Sequence, residues 1–215
     1  MKIGILGSGV VGQALGKGFT GLGDDVMIGT RDPNAEKVKS WVGKTGKHAS
    51  AGTFELAAKF GELVVLATLW SGTESAIKLA GPNNLAGKIV IDATNPLVFA
   101  KEGAPPTLAL GHTDSGGEQV QRWLPQSKVV KAFNMAGNAH MVNPQFPCGP
   151  PDMFYCGNDA GAKAKVAEIL KAFGWNFTDI GGIEGARDLE PLCILWVKYG
   201  FVHGSWGNAF KMLNK

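Results

Sequence analysis

The chain is poor in the residues that staple small proteins, hold metals or span membranes. It has three cysteines in 215 residues, Cys148, Cys156 and Cys193. Their number is odd and their spacing is not that of a metal site, so the expectation is reduced thiols in a cytoplasmic protein. The histidines His48, His112, His140 and His203 pair neither with one another nor with cysteine at ligand spacing, so no metal is expected. The longest apolar run, Leu63–Trp70, falls far short of the roughly 20 residues that cross a bilayer, so no membrane association is expected. The apolar N-terminus is broken by Gly4, Gly7 and Gly9 and reads as a buried strand rather than an export signal. Charge is also scarce. Asp, Glu, Lys and Arg make up 18% of the chain and leave a net charge of +3. The basic residues form no run and no aromatic interleaving, which excludes a nucleic-acid partner. A small basic excess suits an anionic small molecule. So lightly charged a surface implies that a second subunit covers part of it, and a homodimer is expected.

Glycine is abundant. With 31 glycines and 11 prolines, the two types fill about a fifth of the 215 residues, while 45% of the chain is hydrophobic. The glycines therefore serve tight turns within a packed body. Lys2–Leu6 is a short apolar run, as in a strand buried on both faces. A helix is predicted from Val10 to Leu22, a strand over Asp25–Gly29, and helices over Asn34–Lys44 and Thr53–Phe60. The strand Leu63–Thr68 precedes a helix over Ser71–Ala80 and a strand over Lys88–Asp92. Ala100–Gly117 reads as a loop. Glu118–Leu124 reads as a helix, and Lys128–Phe133 as a strand. Prolines 144, 147, 150 and 151 forbid regular structure from Asn143 to Asp152. Strands at Met153–Cys156 and Trp175–Ile180 flank the helix Asp159–Phe173, whose Val166, Ile169, Leu170 and Phe173 make one apolar stripe. This alternation predicts an α/β fold: a Rossmann-type, doubly wound, mostly parallel sheet over residues 1–180. Residues 181–215 add a small C-terminal helical portion. That tail is apolar on two sides, so one side must meet a partner subunit or a ligand.

The segment Gly7-Ser8-Gly9-Val10-Val11-Gly12 carries the chemistry. A lone G-x-G-x-x-G says little, but this one follows the first strand at once and opens a helix. Gly7 permits the turn, Gly9 lets the backbone approach a pyrophosphate, and Gly12 lets helix and strand pack closely. The helix N-terminus offers free N–H groups to phosphate. Where an NAD site would place a carboxylate, the second strand ends in Thr30-Arg31. A hydroxyl and a guanidinium there favour a 2′-phosphate, hence NADP(H).

Thr68 and Leu69, Asn95 and Pro96, and Asn134, Met135 and Ala136 each follow a predicted strand and should line one crevice. Thr68 and Asn95 are placed to bond the ribose or carboxamide, and Leu69 or Trp70 to pack beside a ring. No acid–base machinery is evident, and no catalytic residue is assigned. Neither Tyr155 nor Tyr199 has a lysine four residues on. His140 is the one plausible proton donor near the crevice. Hydride transfer to a flavin-like ring needs stacking and orientation more than an acid. Reduction of a ketone or imine more often needs one. A small-molecule dehydrogenase or imine reductase and a non-enzymatic NADPH-sensing module stay open on these residues.

Later segments narrow the choice. Gly29-Thr30-Arg31-Asp32-Pro33, Asp92-Ala93-Thr94-Asn95-Pro96-Leu97, Pro105-Pro106-Thr107-Leu108 and Val129-Val130-Lys131-Ala132-Phe133-Asn134 together resemble the NADPH-dependent oxidoreductases of the deazaflavin (coenzyme F-420) type. The resemblance runs from Lys2 to about Trp206. It implies a homodimeric Rossmann protein that exchanges hydride between NADP and a deazaflavin ring, with FMN or FAD as a second choice. By position, Ser8 to Val11 with Thr30 and Arg31 would hold the NADP phosphates. Asn95 and Asn134 would sit by the nicotinamide. Pro96, Met135, Ala136 and the tail near Trp206 would wall the second ring. Archaeal members carry His where Asn134 stands. The Asp92–Pro96 and Val129–Asn134 segments also resemble the cytosolic domain of six-transmembrane metalloreductases, which pass electrons from NADPH through a flavin to iron.

Overall fold

The computed structural model describes residues 1–101 and 103–213. The strands are β1 (Lys2–Leu6), β2 (Asp25–Gly29), β3 (Ala49–Gly52), β4 (Leu63–Leu66), β5 (Ile89–Asp92), β6 (Leu97–Val98), β7 (Thr107–Leu108), β8 (Lys128–Lys131), β9 (Asp152–Gly157) and β10 (Asn176–Asp179). The helices are α1 (Val10–Gly21), α2 (Glu36–Thr45), α3 (Phe54–Phe60), α4 (Trp70–Ala80), α5 (Gly116–Trp123), α6 (Ala160–Ala172) and α7 (Ala186–His203).

Eight strands form one sheet in the order β10-β9-β8-β5-β4-β1-β2-β3. From β3 to β8 every pairing is parallel. β9 joins β8 antiparallel, and β10 runs parallel to β9. Read inward from β3, the first six strands have the doubly wound order whose direction of growth reverses between β1 and β4. The carboxyl ends of β1, β2, β4, β5 and β8 therefore share one edge. β1, β4 and β5 are buried almost throughout because helices cover the sheet, which is why their sequences are continuous apolar runs. Phe19, Phe133 and Phe173 interlock in the core, with ring centroids 5.0 Å apart for Phe19–Phe173 and 5.9 Å for Phe133–Phe173.

Three local features depart from the sequence expectation. β3 is a strand that no run of β-branched or aromatic residues announces; its parallel pairing with β2 makes it one. Residues 100–117 are not wholly a loop. Thr107–Leu108 pairs antiparallel with Leu97–Val98 as a small hairpin, and α5 begins at Gly116. The helix starts there because Ser115 caps it: its Oγ accepts from Glu118 N at 3.2 Å and donates to Glu118 Oε2 at 2.7 Å. The residues have capping-box spacing, but the backbone N–H of Ser115 donates to Asp114 Oδ1 at 2.9 Å rather than to Glu118. Finally, α7 ends at His203, where Gly204 takes a left-handed φ of 64°. The chain then turns back so that Trp206 lies over Gly200 and beside Trp196. Trp196 Nε1 donates to Asn208 O at 2.7 Å, and Asp152 N to Phe210 O at 2.9 Å. The segment after α7 is thus tied to the start of β9.

Candidate dinucleotide site

The glycine turn is built as its spacing requires. Gly7 has a φ of 130°, and a Cβ there would stand 2.2 Å from Ala67 O. A Cβ on Gly12 would stand 2.1 Å from Gly7 O, so helix and turn touch backbone to backbone. On Gly9 it would meet nothing within 4 Å. The first and last glycines serve the protein's own packing, and the middle one keeps an open face. No side chain caps the first turn of α1, and no acidic residue lies in it. The N–H groups and the positive end of the helix dipole are left for an external anion. Val10 is 65% exposed at the rim, whereas Val11 packs on the core.

Across the turn, Ser8 Oγ donates to Thr30 Oγ1 at 3.2 Å. Two hydroxyls thus meet where β1 and β2 end. Arg31 follows, exposed. Arg122 and Arg187 are engaged by Asp114 and Glu118, and among the described residues Arg31 has no such carboxylate. Its charge is available to a phosphate, which is what a 2′-phosphorylated dinucleotide presents.

At the end of β4, Thr68 Oγ1 and Thr73 Oγ1 lie 2.9 Å apart, and Leu69 is 75% exposed. Trp70 turns away from the rim and stacks on Trp123 with centroids 5.5 Å apart. Asn95 and Asn134, at the ends of β5 and β8, are joined. Asn95 Nδ2 donates to Asn134 O at 2.7 Å, and Asn134 Nδ2 to Asn95 Oδ1 at 3.0 Å. Pro96 and Met135 are buried, Ala136 is half-buried and Trp206 exposed. Met135 is 2% exposed and belongs to the core, so its side chain is engaged there rather than lying open at the crevice. His140 lies with its ring centroid 5.2 Å from that of Phe146.

Beneath these groups lies a cluster that the sequence reading did not find. Lys131 Nζ is 2.8 Å from Asp92 Oδ2 and 2.8 Å from Glu190 Oε1, and donates to Thr94 O at 2.8 Å. All three charged side chains are at most 1% exposed. Burial pulls the Lys131 pKa down, but the two carboxylates outweigh it, and the net shift is upward. Glu190 also accepts from the N–H groups of Gly116 and Gly117 at 2.9 and 3.0 Å, capping α5 from α7. Asp92 Oδ1 accepts from Thr94 N and Oγ1. Burial and this charge cluster also act on Cys156 and Cys193, whose thiols are pushed up to about 12, mainly by burial. Neither is a nucleophile at neutral pH. Among the described residues no group of His, Cys, Asp or Glu could hold a metal, and no helix is long and apolar enough to cross a membrane.

A doubly wound sheet, open space over Gly9 and an arginine after β2 that no carboxylate engages among the described residues define a dinucleotide-binding fold of the Rossmann class. The family described as NADP oxidoreductase, coenzyme F420-dependent, matches residues 2–96. An F420-dependent NADP reductase of Methanocaldococcus jannaschii is 31% identical over 223 residues, spanning all of this chain and 99% of that protein. The chain belongs to this family and is an NADP-dependent oxidoreductase. A solved structure named as an F420-dependent NADP-reductase from Arthrobacter sp. FB24 superposes with a TM-score of 0.93 at 39% identity, each chain fully covered. The metalloreductase STEAP3 of Rattus norvegicus is 32% identical over 192 residues, but the chain spans only 36% of that protein's length.

Proposed function

We propose that this protein transfers hydride between NADPH and a flat, flavin-like ring, with the deazaflavin coenzyme F420 as first choice and FMN or FAD as second. The observation that carries the reading is the similarity to an F420-dependent NADP reductase over the whole of this chain and 99% of that protein. Bound NADPH would supply hydride from C4 of its dihydronicotinamide, and the reduced ring would take its accompanying proton from solvent. The protein's part is binding and orientation. Gly7 to Gly12 would cradle the pyrophosphate, and Thr30 and Arg31 the 2′-phosphate. Thr68, Leu69, Asn95 and Asn134 would line the path to the nicotinamide. Pro96, Met135, Ala136 and Trp206 would wall the second ring, with the segment 181–215, of which 214 and 215 lie outside the described residues, closing that pocket. The exposed apolar side chains of α7, Leu195, Tyr199 and Val202, support a homodimer through this helix.

A flavin-mediated metalloreductase-like activity is the second reading, favoured by the similarity to STEAP3 over most of this chain. Both readings rest on NADPH. Arg31→Ala is expected to cost about 1.5–3 kcal/mol of NADPH binding, the usual value of a charged hydrogen-bond pair, and to leave NADH binding nearly unchanged. Titration of both cofactors by fluorescence checks this. Equal losses for the two would show that Arg31 does not face the 2′-phosphate.

A further inference from the structure

Two buried side-chain oxygens, Asn134 Oδ1 and Asn208 Oδ1, have no hydrogen-bond partner among the described residues. Asn208 lies in the segment after α7 and is only half-buried. Asn134 is 3% exposed and stands at the crevice. Its orientation is fixed by its neighbours. One Nδ2 proton goes to Asn95 Oδ1 at 3.0 Å and the other to Leu189 O at 2.9 Å. Both acceptors are carbonyl oxygens, so turning the amide over would set oxygen against oxygen. Asn95 cannot turn either, because its own Nδ2 must donate to Asn134 O. The pair therefore has one direction, and it leaves Oδ1 of Asn134 as a buried acceptor in need of a donor.

Two further features hold that acceptor in place. Phe133, just before it, has a φ of 64°, a conformation that is strained for a bulky residue, and its ring is locked against Phe173. Leu189 is the neighbour of Glu190, which the buried Lys131 anchors. Strain at Phe133 and an orphaned acceptor at the adjacent Asn134 mark a site completed by a ligand.

In a doubly wound sheet the second mononucleotide lies over the second set of strands, here β4, β5 and β8. The groups of that half able to donate there are a ribose hydroxyl and the carboxamide NH2. We propose that Asn134 Oδ1 accepts a hydrogen bond from the carboxamide N–H of the nicotinamide, and so fixes the rotation of the ring that gives up hydride. This rests on the NADP-binding reading above. It makes Asn134 a specificity-determining contact for the primary amide.

The test is binding, not turnover. Dissociation constants are measured by competition against NADPH fluorescence for NADP+, for its 3-acetylpyridine analogue, which replaces NH2 by CH3, and for its thiocarboxamide analogue, which keeps NH2. The wild-type protein is expected to bind the acetylpyridine analogue roughly five- to tenfold more weakly than NADP+, the worth of one hydrogen bond. The thiocarboxamide analogue should bind almost as NADP+ does. In Asn134→Leu the ratio of acetylpyridine analogue to NADP+ should fall to about one. Equal wild-type binding of NADP+ and the acetylpyridine analogue would overturn the proposal in favour of a ribose hydroxyl. So would a preference ordered the other way, or a ratio that survives in Asn134→Leu. Where Asn134→Leu fails to fold, Asn134→Ala is put to the same ratio, with the same expected fall to about one. Failure of the wild-type protein to bind NADPH at all would overturn the cofactor reading together with this one.

Discussion

Lys131→Met is expected to destabilise the protein by about 3–5 kcal/mol, the usual cost of removing one partner from a buried ionic group. For a chain of 215 residues that is a fall in Tm of roughly 6–20 °C. The variant leaves Asp92 and Glu190 buried without their cation. Glu190 would still cap α5, and Asp92 would still hold Thr94. The added substitutions Asp92→Asn and Glu190→Gln should recover part of the loss, since Glu190→Gln keeps one of the two acceptors that cap α5 and turns an NH2 onto the other N–H. They remove the stranded charge and keep the shape, as replacement of whole buried ion clusters often does. The sign of the pH dependence follows from Lys131 and the two carboxylates. The folded pKa of Lys131 is raised, so its contribution is complete below the unfolded value of roughly 10.4 and is lost only as pH climbs through the higher folded value. Lys131 itself therefore adds no pH dependence to the wild type from about pH 6 to 9, whereas in Lys131→Met the stranded carboxylates bind protons in the folded state, so the gap should widen as pH rises. Thermal melts across that range check it. A loss under about 1 kcal/mol would mean that the cluster contributes no more than a surface pair.

The glycine turn gives the second large effect. Gly7→Ala places a methyl group 2.2 Å from Ala67 O at a φ of 130°. Both the clash and the dihedral involve backbone, so neither is relieved by rotating a side chain. The backbone strain alone costs about 1–3 kcal/mol, and relieving the clash must move β1 from β4 or reshape the turn. NADPH affinity should fall about 100-fold or more, with a lowered Tm. Gly9→Ala is the informative contrast. Its methyl group meets no protein atom within 4 Å, so stability should hold within about 0.5 kcal/mol. The space it fills is where the backbone would approach pyrophosphate, so NADPH binding should still weaken markedly. Unchanged NADPH affinity in Gly9→Ala would refute the phosphate cradle without any question of folding.

What could be read from the sequence was set by local chemistry. The parallel sheet was legible because β1, β4 and β5 are buried on both faces, and burial writes itself as unbroken apolar runs. The glycine turn was legible because three backbone requirements fall within six consecutive residues. β3 was not, because Ala49-Ser50-Ala51-Gly52 has no side chain with strand preference and owes its form to β2. The start of α5 hides behind two glycines, although Ser115 and Glu118 at capping-box spacing announced it. The Lys131–Asp92–Glu190 cluster was out of reach. Each residue alone reads as an ordinary charge at the end of a strand or on a helix, and only the sheet order brings β5, β8 and α7 together. The free Oδ1 of Asn134 was equally hidden. That Asn134 should line the crevice was legible from its place after a strand. That both its amide protons are already spent depends on Asn95 and Leu189.

The most direct test of the account is loss of the near-ultraviolet absorbance of NADPH when the purified deazaflavin coenzyme is added to the purified protein. The account predicts steady oxidation of NADPH with matching reduction of the deazaflavin, and little turnover with NADH. Tight NADPH binding with no hydride passing to deazaflavin, FMN or FAD would contradict it.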